Sequence, residues 1–224
     1  MFKADEHQAQ GLVGWDVPMP IRVIPVVQDE HDHTSAYLVH ALRTGLRALG
    51  HEVVCLSQGQ DWQRQDWCQP PQVVLQRITA AQHGGEVVVL SMPLEVMATV
   101  FDGAQLRPLV AWQGDKRGSV TAYNALKVLR EVADLQPVLV PMWPQDVGQQ
   151  ALAAEHLAWL LQCTQAVLAW QPCVWHVRVD EAHHAVKPMT NLLKLLESSV
   201  AVSPIPTVVS SGFGAADVQR QRHA

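Results

Sequence analysis

Acidic residues and histidines alternate in one short segment, QDEHDH, at residues 28–33. Asp29, His31 and His33 are of the side-chain types that bind zinc and similar divalent ions. A metal bound by this segment would indicate a metal-dependent enzyme. The other interpretation is a solvated loop, because charged side chains are common in turns and water solvates them without penalty. We favour the solvated loop and expect no bound metal.

A second group of the same residue types lies further along the chain, at Asp180, Glu181, His183 and His184. It follows a predicted strand, so the two groups could meet at one edge of a sheet. The solvated-loop interpretation applies to it equally. The chain contains no G-x-S-x-G motif, which would indicate the serine nucleophile of a hydrolase.

Apolar runs rich in β-branched residues alternate with segments in which apolar residues recur at helical spacing. The runs predict strands at 21–27, 51–57, 86–91, 106–112, 136–142 and 173–179. The segments predict helices at 34–49, 73–82, 94–102, 121–134, 145–170 and 187–198. Such alternation is typical of one doubly wound α/β domain, with a mostly parallel sheet and helices on both faces.

The pattern divides the chain into an N-terminal tail or docking segment at 1–20, the α/β domain at 21–200 and a loose C-terminal tail at 201–224. Thr34 or Ser35 is expected to cap the first helix, and Gly50 to end it. Sheets of this kind bind ligands at the carboxyl ends of their strands. The QDEHDH segment follows the first strand and therefore lies at that edge.

Composition excludes several classes of protein. A net charge of −5 and a pI near 6.1 argue against nucleic-acid binding as the main function. The apolar runs have the length of strands and are too short to cross a membrane. No apolar leader opens the chain, and the four cysteines lack the spacing of a metal site. We expect a cytoplasmic protein with free thiols.

The segment 21–54 resembles the phosphate-binding unit of the MinD/ParA family of deviant P-loop ATPases. That family has a strand, K-G-G-V-G-K-T-T, a helix and then G-H-R-V before the second strand; here the chain reads QDEHDHTS and later GHEVV. Gln28 stands in the place of the signature lysine and His33 in that of the P-loop lysine. Thr34 and Ser35 keep the family's hydroxyls. Acidic residues replace the three glycines: Asp29, Glu30 and Asp32.

These replacements remove what a P-loop needs. Glycines let backbone N–H groups surround phosphate, and lysine adds positive charge. A carboxylate about 4 Å from a phosphate costs on the order of 4 kcal/mol at an effective dielectric near 20. Ser91 also stands where the family has the aspartate of D-T-P-A-G, which organises Mg²⁺. The resemblance therefore implies a P-loop NTPase-like fold with neither ATP nor Mg²⁺ as cofactor and no catalysis; a weakly active ATPase is the alternative.

Within that family the chain most resembles the FlhG/FleN branch, bacterial flagellar-number regulators. Three stretches carry the likeness: DEHQAQGL at 5–12, QGDKRGSVTAYNALKVL at 113–129 and AVKPMTNLLKLLESS at 185–199. Ala122, Tyr123 and Lys127 match the second motif, and Thr121 replaces its aspartate. The likeness implies a regulator of flagellar biosynthesis, such as an antiactivator, that works through protein contacts.

The resemblance also implies partners. In that branch the N-terminal segment contacts the GTPase FlhF, so Gln8, Leu12 and Trp15 are the expected contact residues. A transcriptional activator, a second copy of the chain and an intact paralogue are the other expected partners. Family members often end in a membrane-targeting helix, whereas this chain ends in the polar run ADVQRQRHA. Membrane binding is therefore not expected.

Overall fold

The computed structural model describes residues 21–28, 33–57, 62–80, 86–104, 106–143, 147–178, 196 and 199–202. Several sequence predictions fall outside these ranges. They are the N-terminal docking segment, four residues of the QDEHDH segment, most of the helix predicted at 187–198, and the tail from residue 203.

Within the described ranges, eight strands form one sheet around a central first strand. They are β1 (Ile21–Gln28), β2 (Val53–Ser57), β3 (Val87–Pro93), β4 (Leu109–Trp112), β5 (Val138–Trp143), β6 (Cys173–Val174), β7 (Val177–Arg178) and β8 (Val200–Val202). The order is β2-β3-β1-β4-β5-β6; β7 also pairs with β5, and β8 pairs with β1. Every pairing is parallel except that of β8. Because both faces are covered, the central strands are continuous apolar runs and do not alternate with polar residues.

Helices cover both faces of the sheet. They are α1 (Thr34–Ala48), α2 (Arg64–Trp67), α3 (Pro71–Ala80), α4 (Leu94–Val100), α5 (Lys116–Glu131) and α6 (Val147–Leu168). Alternate residues of β1 point to opposite faces of the sheet. Ile24 and Val26 pack in the core cluster under α1, and Val23 and Val27 pack in the cluster under α3 to α6. The predicted doubly wound, mostly parallel α/β fold with helices on both faces is confirmed.

Two of the differences from the predicted element boundaries have a clear physical cause. α5 begins at Lys116, five residues before the predicted start, because the Asp115 carboxylate accepts the Gly118 N–H at 2.6 Å and caps the helix. The strand predicted at 173–179 is split into β6 and β7. Between them the backbone N–H of Trp175 donates to Leu139 O at 2.9 Å, and the Trp175 side chain is buried in the core.

The prediction of a loose chain from residue 201 is wrong for its first two residues. Val200–Val202 pair antiparallel with the first three residues of β1. β4 reaches β1 only at Val26, so the first half of β1 has a free edge that β8 fills. The Arg22 guanidinium of β1 donates a hydrogen bond to Leu196 O, so the segment before β8 also contacts β1.

No helix within the ranges that the structure describes has the length and apolar character needed to span a bilayer.

Candidate functional site

The connection from β1 to α1 is where the sequence places the altered nucleotide loop. Gln28 ends β1 in register with Pro93 of β3, and its side chain falls on the α1 side by alternation with Ile24 and Val26. The Gln28 Oε1 atom is buried and accepts no hydrogen bond from the residues that the structure describes. Asp29, Glu30, His31 and Asp32 lie outside the described ranges, so their predicted roles stay predictions.

The start of α1 differs from the expected cap. His33 is the N-cap residue; it is exposed and its side chain makes no capping hydrogen bond. Thr34 and Ser35 are not caps, because the helix begins at Thr34 and both residues belong to its first turn. Both are buried against the domain. The prediction that Gly50 ends the helix is confirmed: it has a φ of +88°, and its N–H donates to Arg47 O at 3.0 Å.

Ser91 lies near the carboxyl end of β3, in register with Ser57 of β2 on one side and Val26 of β1 on the other. It is only 4% exposed. By strand alternation it shares the α1 side of the sheet with Gln28. The fold thus brings Gln28, Ser91, Thr34 and Ser35 to the same region, where β1 and β3 end and α1 begins. None of these four side chains carries a charge.

The first acidic residue after Ser91 is Glu95, which is exposed in the first turn of α4. Among the part of the chain that the structure describes, the pKa that clearly departs from its ordinary value is that of Asp66 on α2. A hydrogen bond from the Arg77 guanidinium, and a second from the Gln63 N–H, lower the pKa of this carboxyl. This shift belongs to an ion pair between α2 and α3 and does not mark the region around Ser91.

Metal ligands do not gather within the described ranges: no three His, Cys, Asp or Glu side chains there could hold an ion together. Asp29, His31 and His33 were the residues considered for a metal, and of these the structure describes only His33. The second acidic and histidine group, at 180–184, also lies outside the described ranges. The cysteines that the structure describes are free thiols, as expected.

A second part of the same edge is the turn between β4 and α5, which lies at the start of the resembling stretch 113–129. Ser119, which is buried, donates its hydroxyl to Asp115 O at 2.8 Å and accepts the Trp112 Nε1–H at 3.1 Å. His156 of α6 approaches Gly114 O through its Nδ1 at 2.9 Å. A carbonyl oxygen can only accept, so Nδ1 is the donor in this contact. The sequence signal for this turn was Asp115, a residue type that often caps helices, directly before the first residues of α5.

A third group at this edge is an aromatic pair. The Trp143 indole Nε1–H donates to His176 Nδ1 at 2.8 Å, and the two rings stack with centroids 5.5 Å apart. His176 is exposed and belongs to the interruption between β6 and β7. The pair fixes the neutral tautomer of His176 that carries its proton on Nε2. Sequence spacing gives no indication of this contact, because 33 residues separate the partners.

The residues expected to contact a partner GTPase, Gln8, Leu12 and Trp15, lie outside the described ranges. Their role therefore remains a prediction.

Comparison with known proteins leaves the family open. No protein-family model matches the chain, and no curated protein matches it. Among solved structures it is similar to cobyrinic acid a,c-diamide synthase from Mycobacterium smegmatis, determined with bound ADP and magnesium. The identity is 12%, the TM-score is 0.40, and the match covers 68% of this chain and 98% of that chain.

Proposed function

We propose that the chain is a non-catalytic regulatory protein that keeps a MinD/ParA-like, P-loop NTPase-like frame and acts through contacts with other proteins. The observation that carries the proposal is the environment of Ser91. The resemblance places a Mg²⁺-organising aspartate at this position. The chain has instead a buried, uncharged serine, flanked in register by Ser57 and Val26.

The start of α1 supports the same conclusion. A P-loop directs backbone N–H groups and a lysine at phosphate, with a hydroxyl on Mg²⁺. Here the position of that lysine is held by His33, an exposed residue at the helix N-cap. Thr34 and Ser35, which keep the hydroxyls, are buried by the protein itself. Within the described residues of this region, no cation is placed to offset the charge of a triphosphate.

Nucleotide binding by calorimetry tests the loss of the site. We expect no heat from ATP or GTP at 1 mM with Mg²⁺, because Asp29, Glu30 and Asp32 would repel the phosphates at on the order of 4 kcal/mol each. The matched variant His33→Lys restores one cation without the glycines, and should bind no better. A micromolar dissociation constant for the natural chain would contradict the proposal.

We further propose that the regulated process is bacterial flagellar biosynthesis, with an FlhF-like GTPase or a transcriptional activator as partner. The support is the likeness at 5–12, 113–129 and 185–199. The middle stretch is weaker support than its sequence suggests, because packing also accounts for it. Ala122 is buried, Tyr123 packs against the core, and Lys127 pairs with Glu131 at 3.9 Å on the same helix. The proposed flagellar role therefore rests mainly on the likeness of the N-terminal segment at 5–12.

Removal of residues 1–18 tests the partner contact. We expect the truncated domain to stay folded and to lose binding in a pull-down with the cognate FlhF-like protein, together with any effect on its GTPase rate. A triple alanine variant at Gln8, Leu12 and Trp15 should reproduce the loss, because apolar anchors stabilise a segment that orders on binding. Val132→Ala, at an exposed site on the domain, is the matched control.

Two outcomes would contradict this assignment. If the truncated chain unfolds, the segment is structural. If it binds as well as the full chain, the contact surface lies on the domain. The same pull-down, run with a transcriptional activator and with an intact paralogue, separates these partners from the GTPase.

A further inference from the structure

The outward face of α1 carries positive charge and no negative charge. His40, Arg43 and Arg47 are exposed there, and Tyr37 is 59% exposed. Their spacing of three or four residues keeps these four side chains on one side of the helix. No Asp or Glu occurs from residue 33 to residue 51, although the whole chain has a net charge of −5. The face is therefore a local cationic surface on an acidic protein.

The two arginines of this face have no carboxylate on α1 with which to pair. On α5, by contrast, Lys127 pairs with Glu131 at 3.9 Å, four residues further along the helix. The residue four positions after Arg43 is Arg47, and like charges at this spacing destabilise a helix. The helix dipole attracts Arg47 in the last turn, but its effect falls off before Arg43. A negative partner that reached both arginines would remove their repulsion.

The segment directly before β1 has the complementary composition. Residues 4–20 lie outside the described ranges. Their sequence contains three carboxylates and neither lysine nor arginine; the carboxylates are those of Asp5, Glu6 and Asp16. It also contains two large apolar residues close to the last of these, Leu12 and Trp15. Opposite charge together with apolar side chains suits the segment to a cationic surface that exposes an aromatic ring.

The start of β1 lies beside the C-terminal end of α1. The backbone carbonyl of Glu86 accepts the Arg22 N–H at 3.0 Å, and the Glu86 N–H donates to Glu52 O at 3.1 Å. Neighbouring strands are about 4.8 Å apart, so β1 lies about 10 Å from β2 across β3. Glu52 directly precedes β2 and follows α1 after a short turn. The chain that precedes Ile21 therefore starts within reach of α1.

We propose that residues 5–16 bind the outward face of α1 of the same chain. Five extended residues span about 17 Å back from the start of β1, which places Asp16 opposite Arg47. Four more residues span about 13 Å, close to the rise of about 15 Å between Arg47 and Tyr37, so Leu12 contacts Tyr37. The carboxylates pair with the arginines, and the apolar side chains cover the exposed ring.

This contact also regulates partner binding, a step that rests on the proposed function. Leu12 and Trp15 are the residues expected to contact the partner GTPase, so the segment cannot occupy both sites at once. A segment that is free in about a tenth of the molecules binds its partner about tenfold more weakly. Arg43→Glu/Arg47→Glu repels the segment, and should therefore strengthen the pull-down of an FlhF-like GTPase by up to about tenfold.

Photo-crosslinking in the full chain tests the docking directly. We place p-benzoylphenylalanine at Tyr37, irradiate at about 1 µM and digest with trypsin, which releases residues 4–22 as one peptide. We expect this peptide to be crosslinked to the probe in the monomer. The matched control is the same probe at Val120, which is 50% exposed on α5. It should give no such product, because α1 and α5 cover opposite faces of the sheet.

Charge exchange tests whether the crosslink depends on the proposed ion pairs. Arg43→Glu/Arg47→Glu should lower the crosslink yield at least tenfold. Adding Glu6→Lys/Asp16→Lys to that chain should restore the yield, because the two surfaces are again of opposite charge. Arg117→Glu reverses an exposed charge on α5 and should leave the yield unchanged. Circular dichroism checks that each variant is folded.

Several results would overturn the docking. They are the absence of the 4–22 crosslink from Tyr37, equal yields from Tyr37 and Val120, and a crosslink confined to a dimer, in which a second copy supplies the segment. A yield that survives the charge reversal refutes the ion pairs. Partner binding that the reversal does not strengthen refutes the regulation. A crosslinked chain that binds no partner, before or after the reversal, retains the docking and refutes the proposed function instead.

Discussion

Introducing an aspartate at Ser91 restores the residue that the resembling ATPases have there, in a setting that is buried and uncharged in this fold. Ser91 is only 4% exposed, and its register neighbours, Val26 and Ser57, carry no positive charge. A carboxylate there would lose its hydration without gaining a cation. We therefore expect Ser91→Asp to raise the pKa of the new carboxyl in the folded protein and to destabilise the fold near neutral pH.

The size of the effect follows from linkage. An aspartate in the unfolded chain has a pKa of about 3.9, and full burial raises the pKa of a carboxyl by about 3 units. At 1.36 kcal/mol per unit, the variant should lose about 4 kcal/mol at pH 7 beyond the cost of the larger side chain. Because the folded-state pKa is raised, this loss is absent below pH ~4, grows as pH rises to about 7 and is constant above it.

Urea unfolding at pH 4 and pH 7 measures this loss. Ser91→Asn is the matched control, since it adds the same volume without a charge. We expect the two variants to be equally stable at pH 4 and to differ by about 4 kcal/mol at pH 7. Equal stability at pH 7 would refute the reasoning, because solvent or a cation would then reach the site. Recovery of Ser91→Asp by 1 mM Mg²⁺ and ATP would refute the proposed loss of nucleotide binding.

Three further changes test the helix ends and the perturbed carboxyl. Asp115→Ala removes the carboxylate that caps α5 at 2.6 Å and should cost about 1 kcal/mol in urea unfolding. His33→Ala should change stability by less than ~0.5 kcal/mol in the same assay, because this exposed residue makes no capping hydrogen bond. Arg77→Ala removes the main cause that lowers the pKa of Asp66, so an NMR titration should show that pKa rising toward its ordinary value. In the natural chain the stability that ionised Asp66 contributes is present above its unfolded pKa and is lost as pH falls through the lowered folded pKa; in Arg77→Ala this pH-dependent contribution should shrink. An unchanged titration would mean that the ion pair does not form in solution.

The sequence alone was sufficient to predict the order and type of the main elements. Strands that are buried on both faces are continuous apolar runs, so the run at 86–91 predicted the buried strand that the structure shows as β3. Gly50 was identifiable as the end of α1 because few other residues adopt a positive φ there. The altered loop at 28–33 was likewise visible, because glycine and lysine are required for phosphate binding by their chemistry and not by their surroundings.

Long-range pairing decided what the sequence pattern did not show. Val200–Val202 became a strand only because β4 leaves the first half of β1 unpaired, and that vacancy is a property of the whole sheet. Serine is a residue type that is mostly found at the surface. Ser91 is nevertheless buried, because β1, β2 and α1 meet around it. In α6, apolar residues occur on every side, so periodicity could not separate Leu157, which packs on the core, from Trp159, which faces solvent. Local sequence sets which residues can be buried, and contacts between distant segments determine which of them are.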